Sequence, residues 1–449
     1  MSEHAGKFEM KIRGLIVAAA VLAALTGALY WSNDHKSTET AQPPADFSPK
    51  ILALKEGDIV GIAIKKKDAD EVVLKKDGDN WRITAPQALA ADQSAVSGMV
   101  SPLATLDAQR LVEDKASDLN QYGLSDPSLA VSITEKNYQT QQLLIGDSTP
   151  SGNGVYAKLG GDPRVFTMAS FNESTLHKSL NDLRDKRLIT ADADKISRID
   201  LVTKQENIEF GRDKDQWQIL KPKPMRADGS QVDDLVRALT DAKMDLSSGD
   251  PKKNVPAFAS GTPVASVKIT TESGTQDLQL RKSKDDYYAK SSIVGGVYKV
   301  SGSLGQQFAK KLDDFRNKKL FDFGLGEPNK IEMHDGAKAY FFTHSGEDWW
   351  SAEGKKLDAD GVEQLVGKLR DLQASRFADS GFTTPALEIT VTSSDGKRIE
   401  KILVSKAASG KDYIAERQNE PTPYLLDESA VADLQKLASY VKLAGAPKK

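Results

Sequence analysis

An apolar pattern with internal spacings of 3, 1, 3 and 3 positions occurs three times in this chain of 449 residues. Equivalent positions recur at nearly constant intervals, as in Val96, Val232 and Val362. The internal spacing places the apolar side chains on one face of an α-helix. The members are Val96, Met99, Val100, Leu103 and Leu106, then Val232, Leu235, Val236, Leu239 and Ala242, then Val362, Leu365, Val366, Leu369 and Leu372. Such repetition indicates three tandem copies of one domain.

An aspartate precedes each apolar pattern, at Asp92, Asp228 and Asp358. A carboxylate at the start of a helix accepts hydrogen bonds from backbone N–H groups that have no partner within the helix. We therefore predict that these residues are N-caps. A catalytic role is the alternative, but it would require three active sites in tandem, so an architectural role is favoured.

Short alternating segments, bounded by Gly and Pro, surround each predicted helix and are typical of strands. In each copy a hairpin precedes the helix, and three or four strands and a second apolar helix follow it. This order predicts an α+β fold, with helices covering an antiparallel or mixed sheet. The complete prediction is an N-terminal transmembrane helix followed by three tandem repeated α+β domains. These are repeat domain 1 at residues 49–192, repeat domain 2 at 193–326 and repeat domain 3 at 327–443, before a tail at 444–449.

Residues 14–32 form an apolar run without a single charge. At about 1.5 Å per residue, a helix of this length matches the hydrocarbon thickness of a bilayer. Lys7, Lys11 and Arg13 precede the run, which predicts a cytoplasmic N-terminus at residues 1–13. We expect a single-pass anchor in the inner membrane, a linker at 33–48 and the bulk of the chain in the periplasm. A cleaved signal peptide is the alternative.

Composition disfavours several classes of function. Lys and Arg total 61 and Asp and Glu total 64, so a nucleic-acid partner, which requires a cationic surface, is not predicted. The absence of Cys excludes thiol catalysis, cysteine-ligated zinc and disulfides. The chain also has no Gly-rich phosphate-binding motif and no G-x-S-x-G motif. We therefore predict no catalytic residue, no cofactor and no metal site, and interpret His334 and His344 as surface histidines.

The third copy carries a hairpin with aromatic residues that the other copies lack. We take Trp350 as the equivalent of two predicted core residues, Trp81 and Trp217, so that Trp349 points to the opposite face of its strand. A strand with large apolar residues on both faces is either buried on both faces within the protein or contacts a partner on one of them. Packing between domains is the alternative. The predicted partner-binding residues are Tyr340, Phe341, Phe342 and Trp349.

Four short blocks carry a family resemblance. They are W-x-I-x-x-P-x-x-x-x-A-D at residues 81–92, Y-G-L-x-x-P at 122–127, L-L-I-G at 143–146 and L-R-D-K-R-L at 183–188. These blocks resemble the bacterial domain of unknown function 4340. The resemblance extends over residues 50–190 and 195–320 and is weaker over 328–443.

The resemblance implies a function that composition alone does not. Proteins of this family look like membrane-anchored extracytoplasmic components, and their domain resembles the auxiliary part of gliding-motility-type ABC exporter systems. It implies a non-enzymatic interaction protein that is an accessory component of an ABC exporter, with ABC permease and ATPase subunits as partners. A module that binds envelope glycans or lipids is the alternative. A hydrolase is least favoured, because the sequence shows no nucleophile or metal constellation.

Overall fold

The computed structural model describes residue 26 and residues 49–247, 249–324, 326–408, 410–420 and 422–445. The chain divides into two compact units, Met1–Asp185 and Lys186–Lys449. Among the described residues, the first unit contains one sheet of nine strands, and the second unit contains two sheets of eight strands each.

The first sheet has the strand order β4-β3-β2-β1-β6-β7-β8-β9-β5. Its strands are β1 (Ile59–Lys66), β2 (Val72–Asp77), β3 (Asn80–Ala85), β4 (Leu89–Ala90), β5 (Arg110–Glu113), β6 (Leu129–Glu135), β7 (Thr140–Ser148), β8 (Gly154–Leu159) and β9 (Val165–Ala169).

Both sheets of the second unit follow the same plan. The strands of the second sheet are β10 (Arg198–Thr203), β11 (Asn207–Asp213), β12 (Gln216–Lys221), β13 (Met225–Arg226), β14 (Thr262–Thr271), β15 (Gly274–Ser283), β16 (Asp286–Ser291) and β17 (Tyr298–Val300). The strands of the third sheet are β18 (Lys330–Asp335), β19 (Lys338–Ser345), β20 (Asp348–Ser351), β21 (Arg376–Phe377), β22 (Leu387–Thr392), β23 (Ile399–Lys406), β24 (Tyr413–Arg417) and β25 (Tyr424–Leu426). Their orders are β13-β12-β11-β10-β14-β15-β16-β17 and β20-β19-β18-β22-β23-β24-β25-β21.

The strand orders show a common design. In each sheet the first strand of one meander pairs antiparallel with the first strand of the next, as β1 with β6, β10 with β14 and β18 with β22. The sheets differ at their ends. A strand equivalent to β5 closes the third sheet as β21, whereas in the second sheet an isolated bridge between Asp245 and Lys299 takes this place.

Helices cover one face of each sheet and bury the predicted apolar pattern. They are α1 (Gln93–Ala104), α2 (Ser170–Leu176), α3 (Leu180–Leu183), α4 (Gly229–Thr240), α5 (Val255–Ser260), α6 (Gly302–Phe308), α7 (Leu312–Phe315), α8 (Ala359–Arg370) and α9 (Glu428–Tyr440). The first four members of each pattern lie within α1, α4 and α8, and all fifteen are buried in the three hydrophobic cores. The predicted helices are confirmed.

The predicted N-caps are confirmed as well, with a difference between copies. The Asp92 carboxylate accepts a hydrogen bond from the N–H of Ala95 at 3.0 Å, and Asp228 accepts one from Gln231 at 3.3 Å. Asp358 occupies the N-cap of α8 but makes no capping hydrogen bond with its side chain to any described residue.

This difference predicts unequal effects of removing the caps. We expect Asp92→Ala and Asp228→Ala each to lower the free energy of unfolding by about 1 kcal/mol, because each leaves a helical N–H group without its acceptor. Asp358→Ala should have a clearly smaller effect. Urea unfolding of the three variants measures the difference, and equal losses at all three positions would contradict the hydrogen-bond pattern.

The expected fold class requires correction. The described chain consists mostly of antiparallel sheet, arranged as three sheets in three sheet-rich, repeat-like parts. Tight turns join several consecutive strands, such as β2 with β3 and β14 with β15, and such turns permit only antiparallel pairing. The two meanders of each sheet also pair antiparallel with each other, so no mixed sheet forms among the described residues. The helices are accessory, since the longest described one, α9, has 13 residues.

The expected transmembrane helix is part of the same correction. No helix of the described residues is long and apolar enough to cross a bilayer. Residues 14–32, on which that expectation rested, lie outside the described residues except for Thr26. The predicted domain boundaries stay predictions, although Leu188 and Ile189 already pack in the core of the second sheet.

Candidate functional site at the junction of the second and third sheets

The segment that connects the second and third sheets, residues 315–320, hydrogen-bonds to the repeats on both sides of it. On one side the N–H of Asn317 donates to the carbonyl of Arg226 at 3.0 Å. On the other side the N–H of Leu320 donates to the carbonyl of Leu372 at 2.9 Å. The connection is therefore a shared backbone seam, which holds the side chains around it in defined positions.

Four charged or phenolic side chains meet beside this seam around Glu420. One carboxylate oxygen of Glu420, Oε1, lies 2.7 Å from Arg226 Nε and accepts a hydrogen bond from Arg417 Nε at 2.6 Å. The other oxygen, Oε2, accepts a hydrogen bond from the Tyr424 hydroxyl at 2.6 Å. That hydroxyl in turn accepts a hydrogen bond from Arg226 Nη2 at 3.2 Å. Arg226 comes from β13 of the second sheet, so the network joins two repeats.

A second carboxylate extends the network into the third sheet. Glu400 lies 3.5 Å from Arg417 and accepts a hydrogen bond from the backbone N–H of Asp322 at 2.6 Å. Arg226 and Arg417 also donate to the backbone carbonyls of Lys319 and Leu320 in the seam. The two guanidinium groups thus bind carboxylates and main chain together, which is the geometry for which arginine is suited.

An aromatic contact lies against the network. The guanidinium of Arg316 stacks 3.3 Å from the ring centre of Phe377, and that ring lies 5.4 Å from the ring of Tyr424. Asp313 holds Arg316 from the side through a contact of 2.8 Å with Nη1. The stack buries the guanidinium face, so that Arg316 contributes a cation–π contact across the same junction.

Burial and neighbouring charges shift two pKa values in the network. Burial raises the pKa of Tyr424 above its ordinary value of 10.0; Arg226 opposes this shift and Glu420 adds to it. For Arg226, burial by itself lowers the pKa, but Tyr424 and Glu420 outweigh it and the pKa is raised. Arg226 therefore stays a cation and Tyr424 a neutral hydrogen-bond donor throughout the physiological range.

The raised pKa of Tyr424 predicts a loss of stability at alkaline pH. Its hydroxyl stabilises the fold fully below the pKa of the unfolded chain, about 10, and that contribution disappears as the pH rises through the higher folded pKa. We expect Tyr424→Phe to be less stable than the parent chain by about 1–3 kcal/mol at pH 8, with the gap closing above pH 10. Urea unfolding between pH 8 and 11 measures this. Exposed Tyr440→Phe is the control, and a constant gap for Tyr424→Phe would contradict the assignment.

A cavity of about 210 Å³ lies at the centre of this junction. It is lined by Gln218, Pro224, Met225, Arg226, Arg316, Asn317, Phe377, Asn419, Glu420, Thr422 and Tyr424. Two buried polar atoms in its wall, Arg226 Nη1 and Thr422 Oγ1, have no hydrogen-bond partner among the described residues. The site is suited to binding rather than to a reaction, because its carboxylates and most of its cationic groups are already paired with one another.

Comparison with protein families places the chain. A family model described as "Domain of unknown function (DUF4340)" matches residues 81–224 and 217–386, together more than half of the chain. This chain belongs to the DUF4340 family. No curated protein matches it.

Two solved structures from Pseudomonas aeruginosa resemble the DUF4340 chain at 7% sequence identity and a TM-score of 0.15. One is a DNA polymerase sliding clamp with ligand, where the match covers 84% of this chain and 93% of that chain. The other is the DNA polymerase III subunit beta, with 82% and 91% covered. A TM-score this low does not support any inference about fold or function.

The DUF4340 matches are out of phase with the sheets. They begin at the equivalent residues Trp81 and Trp217, in β3 and β12, after two strands of each sheet have already passed. Each match therefore begins within one sheet and ends within the chain segment of the next sheet. The two starting points are separated by the same interval as Val96 and Val232 in the helical pattern.

The predicted aromatic site of the DUF4340 chain is split between the two faces of its hairpin. Trp349 is only 2% exposed and packs with Phe342 in the third core, against which Tyr340 also packs. Phe341 faces the other side, half-buried, with its ring edge-on to His334 at 5.5 Å. The predicted exposure of Trp349 is wrong. The partner-binding role of Tyr340, Phe341, Phe342 and Trp349 stays a prediction.

Strand periodicity gives the reason for this correction. Trp81 and Trp217 lie eleven residues before their N-cap Asp, and Trp349 lies nine residues before Asp358. Because side chains alternate between faces, shortening by two residues keeps the face and shortening by three reverses it. Trp349, rather than Trp350, is therefore the core tryptophan of the third repeat.

Sequence reasoning missed the junction network. Arg226 stands where the first copy has Ala90, and Glu420 stands where the second copy has Val294. A charged residue at a position that is small or apolar in another copy can indicate a contact that is specific to its own copy. The sequence could not indicate, however, that these two residues face each other.

Proposed function

We propose that this protein is a non-enzymatic, extracytoplasmic accessory component of an ABC exporter, with the permease and ATPase subunits as its partners in the complex. The observation that carries the proposal is the junction network, which joins two repeats of a DUF4340 chain into one unit. Its charged groups form ion pairs with one another: Arg226, Arg417, Glu400 and Glu420. Charged groups that are already paired suit a rigid interaction scaffold better than a reaction centre. The resemblance of the family to exporter auxiliary parts supplies the partner.

Crosslinking and co-purification test this function. The full chain with a C-terminal tag is expressed in its source cells, crosslinked in the intact envelope and purified in detergent. We expect an ABC permease and its ATPase to be recovered in constant proportion to the chain. Recovery of neither subunit would contradict the exporter role.

Protease added to spheroplasts should digest the chain if its bulk lies outside the cytoplasm at the inner membrane, and protection would reject this location.

The residues proposed to contact the partner are Tyr340 and Phe341. Phe341→Ala removes a half-buried ring from the face of β19 opposite the core, so it should reduce recovery of the partner at unchanged melting temperature. Phe171→Ala, at a ring that is 67% exposed in the first unit, is the matched control and should leave recovery unchanged. Equal recovery with both variants would remove Phe341 from the interface.

A second candidate function is the binding of envelope lipids or glycans. It is supported by a groove of about 480 Å³ on the second sheet, lined by Val202, Val264 and Pro263 with Lys204 and Arg281 at its margin and no acidic residue. Apolar walls beside cationic groups favour an anionic lipid. Binding of a fluorescent fatty acid tests it. Val264→Asp should abolish binding, whereas Ile399→Asp on the third sheet should not.

A further inference from the structure

Two polar atoms of the junction, Arg226 Nη1 and Thr422 Oγ1, are buried with neither a hydrogen bond nor an ion pair to a described residue. Arg226 places Nε beside Glu420 and directs Nη2 to Tyr424 and the carbonyl of Lys319, which leaves Nη1 unpaired among the described residues. The Thr422 hydroxyl is likewise unpaired. Each buried group without a partner is destabilising, because it loses water and gains nothing in exchange. Both belong to the wall of the same cavity.

We propose that this cavity binds a small monocarboxylate of sugar-acid type, whose carboxylate accepts hydrogen bonds from Arg226 Nη1 and the Thr422 hydroxyl. The inference is independent of the exporter proposal, since it concerns a ligand of the junction and not the partner of the whole chain.

The charge of the lining indicates a monoanion. Arg226 contacts Glu420 and Arg316 contacts Asp313, so each positive charge of the lining already has a counter-charge beside it. A carboxylate adds one negative charge to this balance, whereas a dianion such as phosphate would add two beside Glu420. Charge-assisted hydrogen bonds from arginine to a carboxylate are among the stronger ones in proteins.

The remaining lining indicates a compact, hydroxyl-rich body. Three amide side chains, Gln218, Asn317 and Asn419, line the cavity and offer both donors and acceptors. Its volume of about 210 Å³ equals roughly seven water molecules in the liquid, which suits a single small ring rather than an oligomer or a lipid chain. Pockets between domains are a common place for such ligands.

The location of the cavity couples ligand binding to the junction. Gln218 and Arg226 belong to the second sheet, whereas Asn419 and Thr422 lie between β24 and β25 of the third. A ligand that contacts both sides binds only when the sheets are together. It therefore stabilises the paired arrangement and raises the melting temperature with its concentration.

Calorimetric titration and thermal unfolding of the full chain test the proposal. The probes are sodium glucuronate, sodium acetate, glucose and inorganic phosphate. We expect glucuronate to bind and to raise the melting temperature, acetate to bind at least tenfold more weakly, and glucose and phosphate to have no effect. Equal binding of glucose would refute carboxylate recognition. Tighter binding of phosphate would refute the charge assignment, and binding of acetate as tight as glucuronate would refute the sugar-acid body.

Two variants place the ligand in the cavity. Thr422→Val keeps the shape and removes the unpaired hydroxyl, so it should weaken glucuronate binding at least tenfold while leaving the melting temperature of the free protein unchanged or higher. Asn419→Asp, at an exposed position with φ 68° that Asp tolerates, should also weaken binding at least tenfold by repulsion. Thr240→Val, on α4 outside the cavity, is the control. If Thr422→Val lowers the melting temperature and no acid binds, water alone satisfies the two atoms and the proposal fails.

Discussion

Trp349→Ala is expected to lower the free energy of unfolding by about 3–5 kcal/mol, the usual range for removing a large aromatic side chain from a core. The side chain is 2% exposed and packs with Phe342, Met333 and Leu365 in the third hydrophobic core. Its removal leaves a cavity that the strands of the hairpin cannot close without breaking their pairing. Urea unfolding followed by fluorescence or circular dichroism measures the loss.

The neighbouring tryptophan provides a matched control. Trp350 lies on the same strand, β20, but faces the other side and is half-buried. Trp350→Ala should therefore reduce stability by clearly less than Trp349→Ala, because a half-buried side chain removes less apolar surface from water. If the two variants lose equal stability, or if Trp350→Ala loses more, the assignment of the two faces of this hairpin is incorrect.

Glu420→Ala is expected to lower the free energy of unfolding by about 3 kcal/mol, because it leaves Arg226 and Arg417 partly buried without their shared counter-charge. The value lies at the lower end of the usual range for a buried ion pair, since Arg226 and Glu420 are still 23% and 20% exposed. The loss should be concentrated at the junction. Trypsin should then cleave at Lys318 and Lys319 in the connecting segment faster than in the parent chain.

An exposed ion pair of the same unit provides the control. Asp234 and Arg237 on α4 lie 3.0 Å apart with side chains 40% and 68% exposed. Asp234→Ala should change stability by less than about 1 kcal/mol and leave cleavage at the seam unaltered. If Glu420→Ala is as mild as Asp234→Ala, the network does not stabilise the pairing of the two sheets.

The features that could be predicted from the sequence are those that depend on residues close together along the chain. The helix faces and the N-caps Asp92 and Asp228 depend on residues within one or two turns, and the structure confirms them. The choice between Trp349 and Trp350 was also local, because the alternation of side chains along a strand decides it. The alignment of the repeats did not show, however, that the spacing to the N-cap Asp has to change by an even number of residues. Adjacent tryptophans gave two alignments that differ by one residue, and a shift of one residue reverses the face.

The sequence alone determined the triple repeat, the apolar helix faces and the caps, because these follow from the helical turn and the alternation of strands along a continuous chain. The antiparallel pairing of all described strands and the contact of Arg226 with Glu420 became visible only once the chain was folded. These two residues lie far apart in the sequence, and neither has a local pattern that names the other. Their contact arises because the seam at residues 315–320 brings an edge of the second sheet against the β24–β25 turn of the third. A charge pair of this kind is set by where two folded surfaces meet, and that position exists only after both sheets have formed.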